Sequence, residues 1–372
     1  MPRGERRAAL PLSQEFSTFL DLVRLVAAFT VFLGHLSDPS LGGEALRGFL
    51  PLAKSAVIAF FVLSGYVIAW SAQRDGTATQ YAVNRAARIY SVALPALLLT
   101  WGLDLFLQSY DPALLRSAYQ LVHPWKYLPL FVTFTSEFWF LNENAFSNIP
   151  FWSLSYEVWY YVVFGILVFA RGPWRWWLSG VVLLLMGPRL WLLFPTWLLG
   201  VAICRFHEQH ALPRGWARPL LVLGAAAMIA LKWSGIDDSL NDAFNAALGG
   251  FPAARLRYSQ NVVGDTLFAL AVGTMILAAR DARLSLLKPA HAVVAALASV
   301  SFSLYLVHFP LLLTFGALMP RQCLAIALST LAVAIAFGMV FERRKRLLRR
   351  WLLQAVKRLQ SLLPSQAQHR AG

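Results

Sequence analysis

Cysteine is nearly missing from this chain: Cys204 and Cys323 are the only two in 372 residues. They stand at the ends of different apolar segments, so no disulfide framework is implied. Charge is scarce too, at 14% of residues, against about 25% in an ordinary soluble domain. Acid is the scarcer sign, with 18 Asp and Glu against 33 Lys and Arg. Gly-rich phosphate loops, a Gly-x-Ser-x-Gly elbow and a His-Glu-x-x-His pair do not occur, which removes the motif-based hydrolase and zinc-protease readings. Internal repeats and low-complexity tracts are absent as well, so a solenoid is excluded and one domain is expected.

What is present is apolar. Hydrophobic residues make up 58% of the chain, with 14 Trp and 26 Phe, the composition of a polytopic membrane protein. Runs near membrane-spanning length lie at about 17–37, 52–72, 88–108, 151–170, 174–188, 189–206, 217–233, 260–279, 294–316 and 322–342. They predict an all-α polytopic fold of about ten transmembrane helices. The fifth is short, and Gly187-Pro188-Arg189 alone separates it from the sixth, which suggests a tight helical hairpin. The first run lacks a small-residue cleavage site after it and reads as a retained helix.

An even helix number puts both termini on one side. Sorting Lys and Arg by alternate loops places 23 on that side and 9 on the other, with Arg24 inside the first helix. The positive-inside rule then makes both termini cytoplasmic. The expected organisation is a cytoplasmic segment at 1–16, a membrane domain at 17–342 and a basic amphipathic tail at 343–372. A net charge of +15 would suggest nucleic acid in a soluble protein, but here it reflects topology. The tail, with apolar pairs at helical spacing among cations, is expected to lie along anionic lipid rather than to bind nucleic acid.

Long loops at 109–150 and 234–259 face the other side. The first is aromatic (Trp125, Tyr127, Phe131, Phe134, Phe138, Trp139, Phe140), and the second carries Asp237, Asp238 and Asp242. They suit a carbohydrate, or else form an interfacial aromatic belt.

Within the first helix, Arg24 and His35 are eleven residues apart. That advances ~16 Å and turns ~1100°, so they share a face at different depths. Buried charge there points to a polar cavity or a partner, unless Arg24 snorkels to one headgroup layer and His35 caps the other end. Trp152-Ser153-Leu154-Ser155-Tyr156-Glu157 opens the fourth segment and puts a carboxylate about two turns in, at a depth where it is able to meet His35. Ser301-x-Ser303-x-Tyr305-x-x-His308 brings a second imidazole, with a core histidine bonded to a backbone carbonyl as the alternative reading. Arg85 and Arg88, three apart at the terminal-side end of the third helix, make a phosphate clamp or a topological signal. Ser64-Gly65 places small residues at mid-membrane, which suits either a close approach of helix backbones or the passage of a ligand. Cys204, His207, Glu208 and His210 have zinc-binding types but lack a second ligand cluster, and no metal is expected.

Taken in order, these residues resemble the acyltransferase-3 family of integral membrane O-acyltransferases. The resemblance rests on Arg24 eleven before His35, Phe61-Val62-Leu63-Ser64-Gly65-Tyr66, Arg85-x-x-Arg88-Ile89-Tyr90, Trp152-Ser153-Leu154-Ser155-Tyr156-Glu157, Ser303-x-Tyr305-x-x-His308-x-Pro310 and Glu342, across about 16–343. Ser91 and Arg343-Arg344 depart from the usual prolines. The resemblance implies a ten-helix bundle in the bacterial cytoplasmic membrane. It would move an acyl group, commonly acetyl, from cytoplasmic acyl-CoA to a hydroxyl of a surface or lipid-linked carbohydrate, with no permanently bound cofactor. On that analogy His35 is the catalytic base and Arg85 and Arg88 contact the donor, with Arg24 beside them. Glu157 is expected to orient the His35 ring, and Trp152, Ser153, Ser155, Tyr305 and His308 to line the substrate pocket. A transporter or flippase is the rival reading, because buried Arg, His and Glu also mark substrate paths.

Overall fold

The computed structural model describes residues 12–119, 124–249 and 253–362. Among these, nine helices are long and apolar enough to cross a membrane, and a tenth apolar helix, Trp174–Met186, is shorter. No strand occurs among the described residues. The order is α1 (Gln14–Leu36), α2 (Leu50–Ala72), α3 (Ala78–Tyr110), α4 (Pro112–Ala118), α5 (Pro124–Val132), α6 (Trp152–Phe169), α7 (Trp174–Met186) and α8 (Pro188–Gln209). It continues with α9 (Arg214–Ser234), α10 (Ile236–Ala247), α11 (Val262–Ala279), α12 (His291–Ala298), α13 (Ser301–Leu318), α14 (Cys323–Phe341) and α15 (Lys345–Ser361). Most of the segment 1–16 and the tail beyond 362 lie outside the described residues. The terminal side is where α1 begins and α14 ends.

Two helices depart from the expected runs, each for a local reason. α3 starts ten residues early because Thr77 caps it, its hydroxyl accepting from the Gln80 N–H. At 33 residues it is about 50 Å long, so Arg85 and Arg88 lie in its second and third turns. The ninth apolar run is broken at Ser299-Val300 into α12 and α13. His291 on α12 bonds the Thr18 hydroxyl of α1 at 2.7 Å, and Glu342 takes the Ser303 N–H at 2.9 Å, supplying the acceptor that the break removed. The expected hairpin between α7 and α8 forms at Gly187, whose φ of 79° is open to glycine.

α2 is the central staff, packing on α1, α8 and α11. It meets α8 backbone to backbone. A Cβ on Gly65 would lie 2.0 Å from the Trp197 carbonyl oxygen, and one on Gly200 would lie 1.9 Å from that of Val62. Such small-residue contacts let helices associate by close packing where lipid gives no hydrophobic drive. α13 packs against α1, α3 and α14.

The long loop between α3 and α6 does not stay at the surface. Tyr90, midway along α3, donates to the Val132 carbonyl at 2.8 Å, and the Trp159 indole donates to that of Phe134 at 3.1 Å. Asn148 donates to the Leu306 carbonyl in α13 at 2.7 Å, and the Asp104 carboxylate accepts from the Ser147 N–H at 2.9 Å. Irregular backbone at the depth of spanning helices is tolerated only when protein satisfies it; the bonds to Val132, Phe134 and Ser147 do that, and the Asn148 side chain ties the loop to α13. Phe134, Trp139 and Phe146 all take positive φ within this segment, a cost that only tight surrounding packing sustains.

Candidate active site

A cavity of about 120 Å³ opens between α1, α2, α3, α6 and α13, lined among others by Arg24, Ser64, Arg88, Ser153, Glu157 and Tyr305. Arg24 is tied to Asp21 one turn earlier on α1. The Arg88 side chain makes no hydrogen bond or ion pair among the described residues, although it is half-buried. On the opposite wall, Glu157 accepts from Ser64 Oγ at 2.6 Å and from the Tyr161 hydroxyl. Ser153 and Tyr305 bond through their hydroxyls at 2.7 Å. Both hydroxyls also reach the Pro150 carbonyl, Tyr305 at 2.9 Å and Ser153 at 3.3 Å, so either one can donate across the pair. A substrate oxyanion would have to compete with that carbonyl for the Tyr305 proton.

One turn beyond Tyr305 on α13 lies His308, fully buried. Its Nδ1 faces the carbonyls of Tyr305 at 2.8 Å and Leu304 at 3.1 Å. Carbonyls only accept, so Nδ1 carries the proton and Nε2 keeps a lone pair. Among the described residues Nε2 has no partner. The ring of His35 stands next to it, centroid to centroid 5.2 Å, with Phe309 edge-on to His35 at 4.9 Å and Phe32 edge-on to His308 at 6.4 Å. The two imidazoles thus form a pair in an aromatic surround.

Residues 17–343 match the family described as an acyltransferase domain. The chain belongs to the acyltransferase-3 family. An O-acetyl transferase of Shigella phage Sf6 is 38% identical over 90 residues, which is 23% of this chain and 26% of the relative. An acyltransferase of Streptomyces mycarofaciens, MdmB, is 31% identical over 155 residues, 38% of this chain and 36% of the relative. The chain thus spans about a quarter to a third of the length of the curated relatives it matches. No solved structure matches it. Helix α15 lies beyond the matched residues.

In this acyltransferase-3 protein several expected neighbours are apart. Glu157 and His35 do not pair: the carboxylate is held by Ser64 and Tyr161, while the imidazole packs on α13. The cause is packing order, since α1 lies against α2, α12 and α13, whereas α6 lies chiefly against α7 and meets α2, α3 and α8 only lightly. Arg85 and Arg88 also diverge. Arg85 turns to Ser71 Oγ at 3.0 Å and to Asp75 at 3.9 Å and lines a separate apolar groove between α3 and α6, leaving Arg88 alone on the central cavity. Ser155 faces away, toward Ser136 of the loop, Oγ to Oγ 3.2 Å. Trp152 stacks on Tyr258, with centroids 4.0 Å apart and planes within 5°.

Three further residues escaped sequence reading. Glu137, fully buried in the loop, meets Arg257 at 2.6 Å and Arg189 at 3.5 Å. Arg257 continues to Asn144 at 2.7 Å, and Arg189 to the Arg255 carbonyl at 2.6 Å. This triad fastens the re-entrant loop to the strained turn at Arg257, with φ 48° and ψ −115°, that carries Tyr258 onto Trp152. A lone Glu in an aromatic loop and an Arg after Gly-Pro were its only sequence signals. His207, considered for zinc, instead accepts from Tyr66 at 3.0 Å and donates to the Leu277 carbonyl at 3.0 Å.

Proposed function

We propose that this protein is an O-acyltransferase of the bacterial cytoplasmic membrane. It would move an acyl group, acetyl being the expected one, from acyl-CoA on the cytoplasmic side to a hydroxyl of a surface or lipid-linked carbohydrate. The observation that carries the reading is the order of polar groups along α1 and α13. Arginines without full compensation line the terminal-side part of the cavity, and one turn past its hydroxyl pair stands a pair of imidazoles with a free Nε2 lone pair. That sequence suits a ligand with phosphates at one end and a thioester at the other. The relatives named as an O-acetyl transferase and an acyltransferase support acyl transfer.

In this mechanism His35 takes the proton of the acceptor hydroxyl as the oxygen attacks the thioester carbonyl carbon. General base catalysis of this kind is worth about 10² to 10⁴-fold. The tetrahedral intermediate collapses with cleavage of the C–S bond, and the imidazolium returns its proton to the departing thiolate, giving ester and free thiol. The His308 Nε2 lone pair steadies the protonated His35 ring. Tyr305 turns its hydroxyl toward the developing oxyanion. Glu157 acts at one remove, fixing Ser64 in the cavity wall and Tyr161 in the neighbouring groove between α3 and α6.

Mass spectrometry of surface glycans and glycolipids from cells expressing wild type, His35→Ala or neither is the test. An acyl mass increment seen only with wild type supports the proposal and names acyl group and acceptor. An equal increment with His35→Ala removes His35 as the base. Transport of a glycan without release of CoA thiol in membrane vesicles would favour the transporter.

A further inference from the structure

Helix α15 is cationic and packs beside the arginines of α1 and α3. Its partly covered face, Leu348, Leu352, Leu353 and Val356, follows helical spacing and packs on the first turns of α3. That docking is specific. Arg349 Nε donates to the Asn84 side-chain oxygen at 2.5 Å, and Asn84 in turn donates to Asp75 at 2.5 Å, next to Arg85. Lys345, one turn before Arg349 on the same face, lies within electrostatic reach of Arg88, Glu342 and Arg24. Glu342 already accepts from the N–H and hydroxyl of Ser303. The cluster therefore holds Arg24, Arg85, Arg88, Lys345 and Arg349 against Asp21, Asp75 and Glu342, and Arg88 lacks any partner among the described residues. Lys345 and Arg349 remain exposed to solvent. A topological charge signal needs neither a docked helix nor an unpaired arginine facing a cavity.

We infer that α15 forms an outer wall of the donor site, with Lys345 and Arg349 joining Arg88 to hold the phosphates of the nucleotide end of acyl-CoA. The inference rests on the acyl-CoA reading of the cavity. Phosphate is the chemistry that fits: cations from α1, α3 and α15 gather beside the end of the cavity lined by Arg24 and Arg88, and Lys345 and Arg349 are exposed to water. The remaining sequence of α15 has Trp351, Leu347 and Leu359 exposed, so anionic lipid is the competing source of the same chemistry.

The test uses the full chain in vesicles of phosphatidylcholine with and without phosphatidylglycerol. Binding of CoA is measured for wild type, the double variant Lys345→Gln/Arg349→Gln and the charge-keeping variant Lys345→Arg/Arg349→Lys. Turnover of acetyl-CoA is compared with that of acetyl-pantetheine, which lacks the nucleotide. The double variant is expected to weaken CoA binding and raise the KM for acetyl-CoA roughly tenfold in both lipids. Its acetyl-pantetheine turnover should hold, and the charge-keeping variant, which gives up the Arg349 Nε bond to Asn84 but keeps both charges, should bind CoA more tightly than the double variant. Equal CoA binding by wild type and double variant overturns the role of α15 alone. Loss for both thioesters, or loss only in phosphatidylglycerol vesicles, assigns the cations to lipid and overturns it too. Wild type that binds no CoA refutes the acyl-CoA reading itself, and this inference with it.

Discussion

Replacing His308 with asparagine isolates one nitrogen. The Nδ1–H of His308 is spent on the carbonyls of Tyr305 and Leu304, and an asparagine amide nitrogen occupies nearly the same place relative to Cβ. His308→Asn therefore keeps the local backbone bond and removes only Nε2, the buried atom left without a partner beside His35. If that lone pair steadies a protonated His35, the loss is one hydrogen bond to a charged group, about 1.5 to 3 kcal/mol. At 1.36 kcal/mol per decade this is about 10 to 150-fold in kcat, less than the loss expected of His35→Ala. The KM for acyl-CoA should hold, because no phosphate contact changes. Thioester turnover in reconstituted vesicles is the assay, with thermal stability followed in parallel. His308→Gln, which places its amide near the Nε2 position, should recover part of the rate at some expense of stability. Full activity in His308→Asn would refute the reasoning and make His308 a structural residue bonded to its own helix.

The same structure sets other expectations. Glu137→Gln should be the more damaging change in the loop triad, at about 3 to 5 kcal/mol, because it leaves two buried guanidinium groups uncompensated. Arg257→Gln preserves the Glu137–Arg189 contact and should cost less, and a reversed order in thermal inactivation would discount the triad. Gly200→Leu should abolish folded protein on size exclusion, since even a Cβ there meets the Val62 carbonyl at 1.9 Å; normal yield would contradict the α2–α8 contact. Asp281, beyond the end of α11, loses some ease of ionisation to burial. Its bonds from Arg280 and the Leu212 N–H outweigh this and hold its pKa below the ordinary carboxylate range. A depressed pKa contributes stability above the ordinary value and loses it as pH falls through the lowered one. Asp281→Asn should therefore flatten the acid side of the stability profile, and an unchanged profile would discount the pair.

The sequence by itself determined the helices, because a bilayer demands about twenty apolar residues per crossing and the chain supplies them in separated runs. It also determined the family, through motifs whose order and placement on those helices survive without knowledge of contacts. Arg24 and His35 shared a face by helical arithmetic alone. What the tertiary structure decided is which faces meet. α2 and α13 are apolar nearly all round, so periodicity names no partner for them, and only packing set His35 against His308 rather than Glu157. A rotation of about 60° between residues three apart was enough to send Arg85 and Arg88 to different cavities. The re-entrant loop was invisible for the opposite reason. Its aromatic residues read equally well as a surface belt, and its burial depends on hydrogen bonds donated by Tyr90 and Trp159 and accepted by Asp104 and the Leu306 carbonyl, on three separate helices. Local sequence sets the conformation of each segment, while long-range satisfaction of backbone polar groups sets its depth.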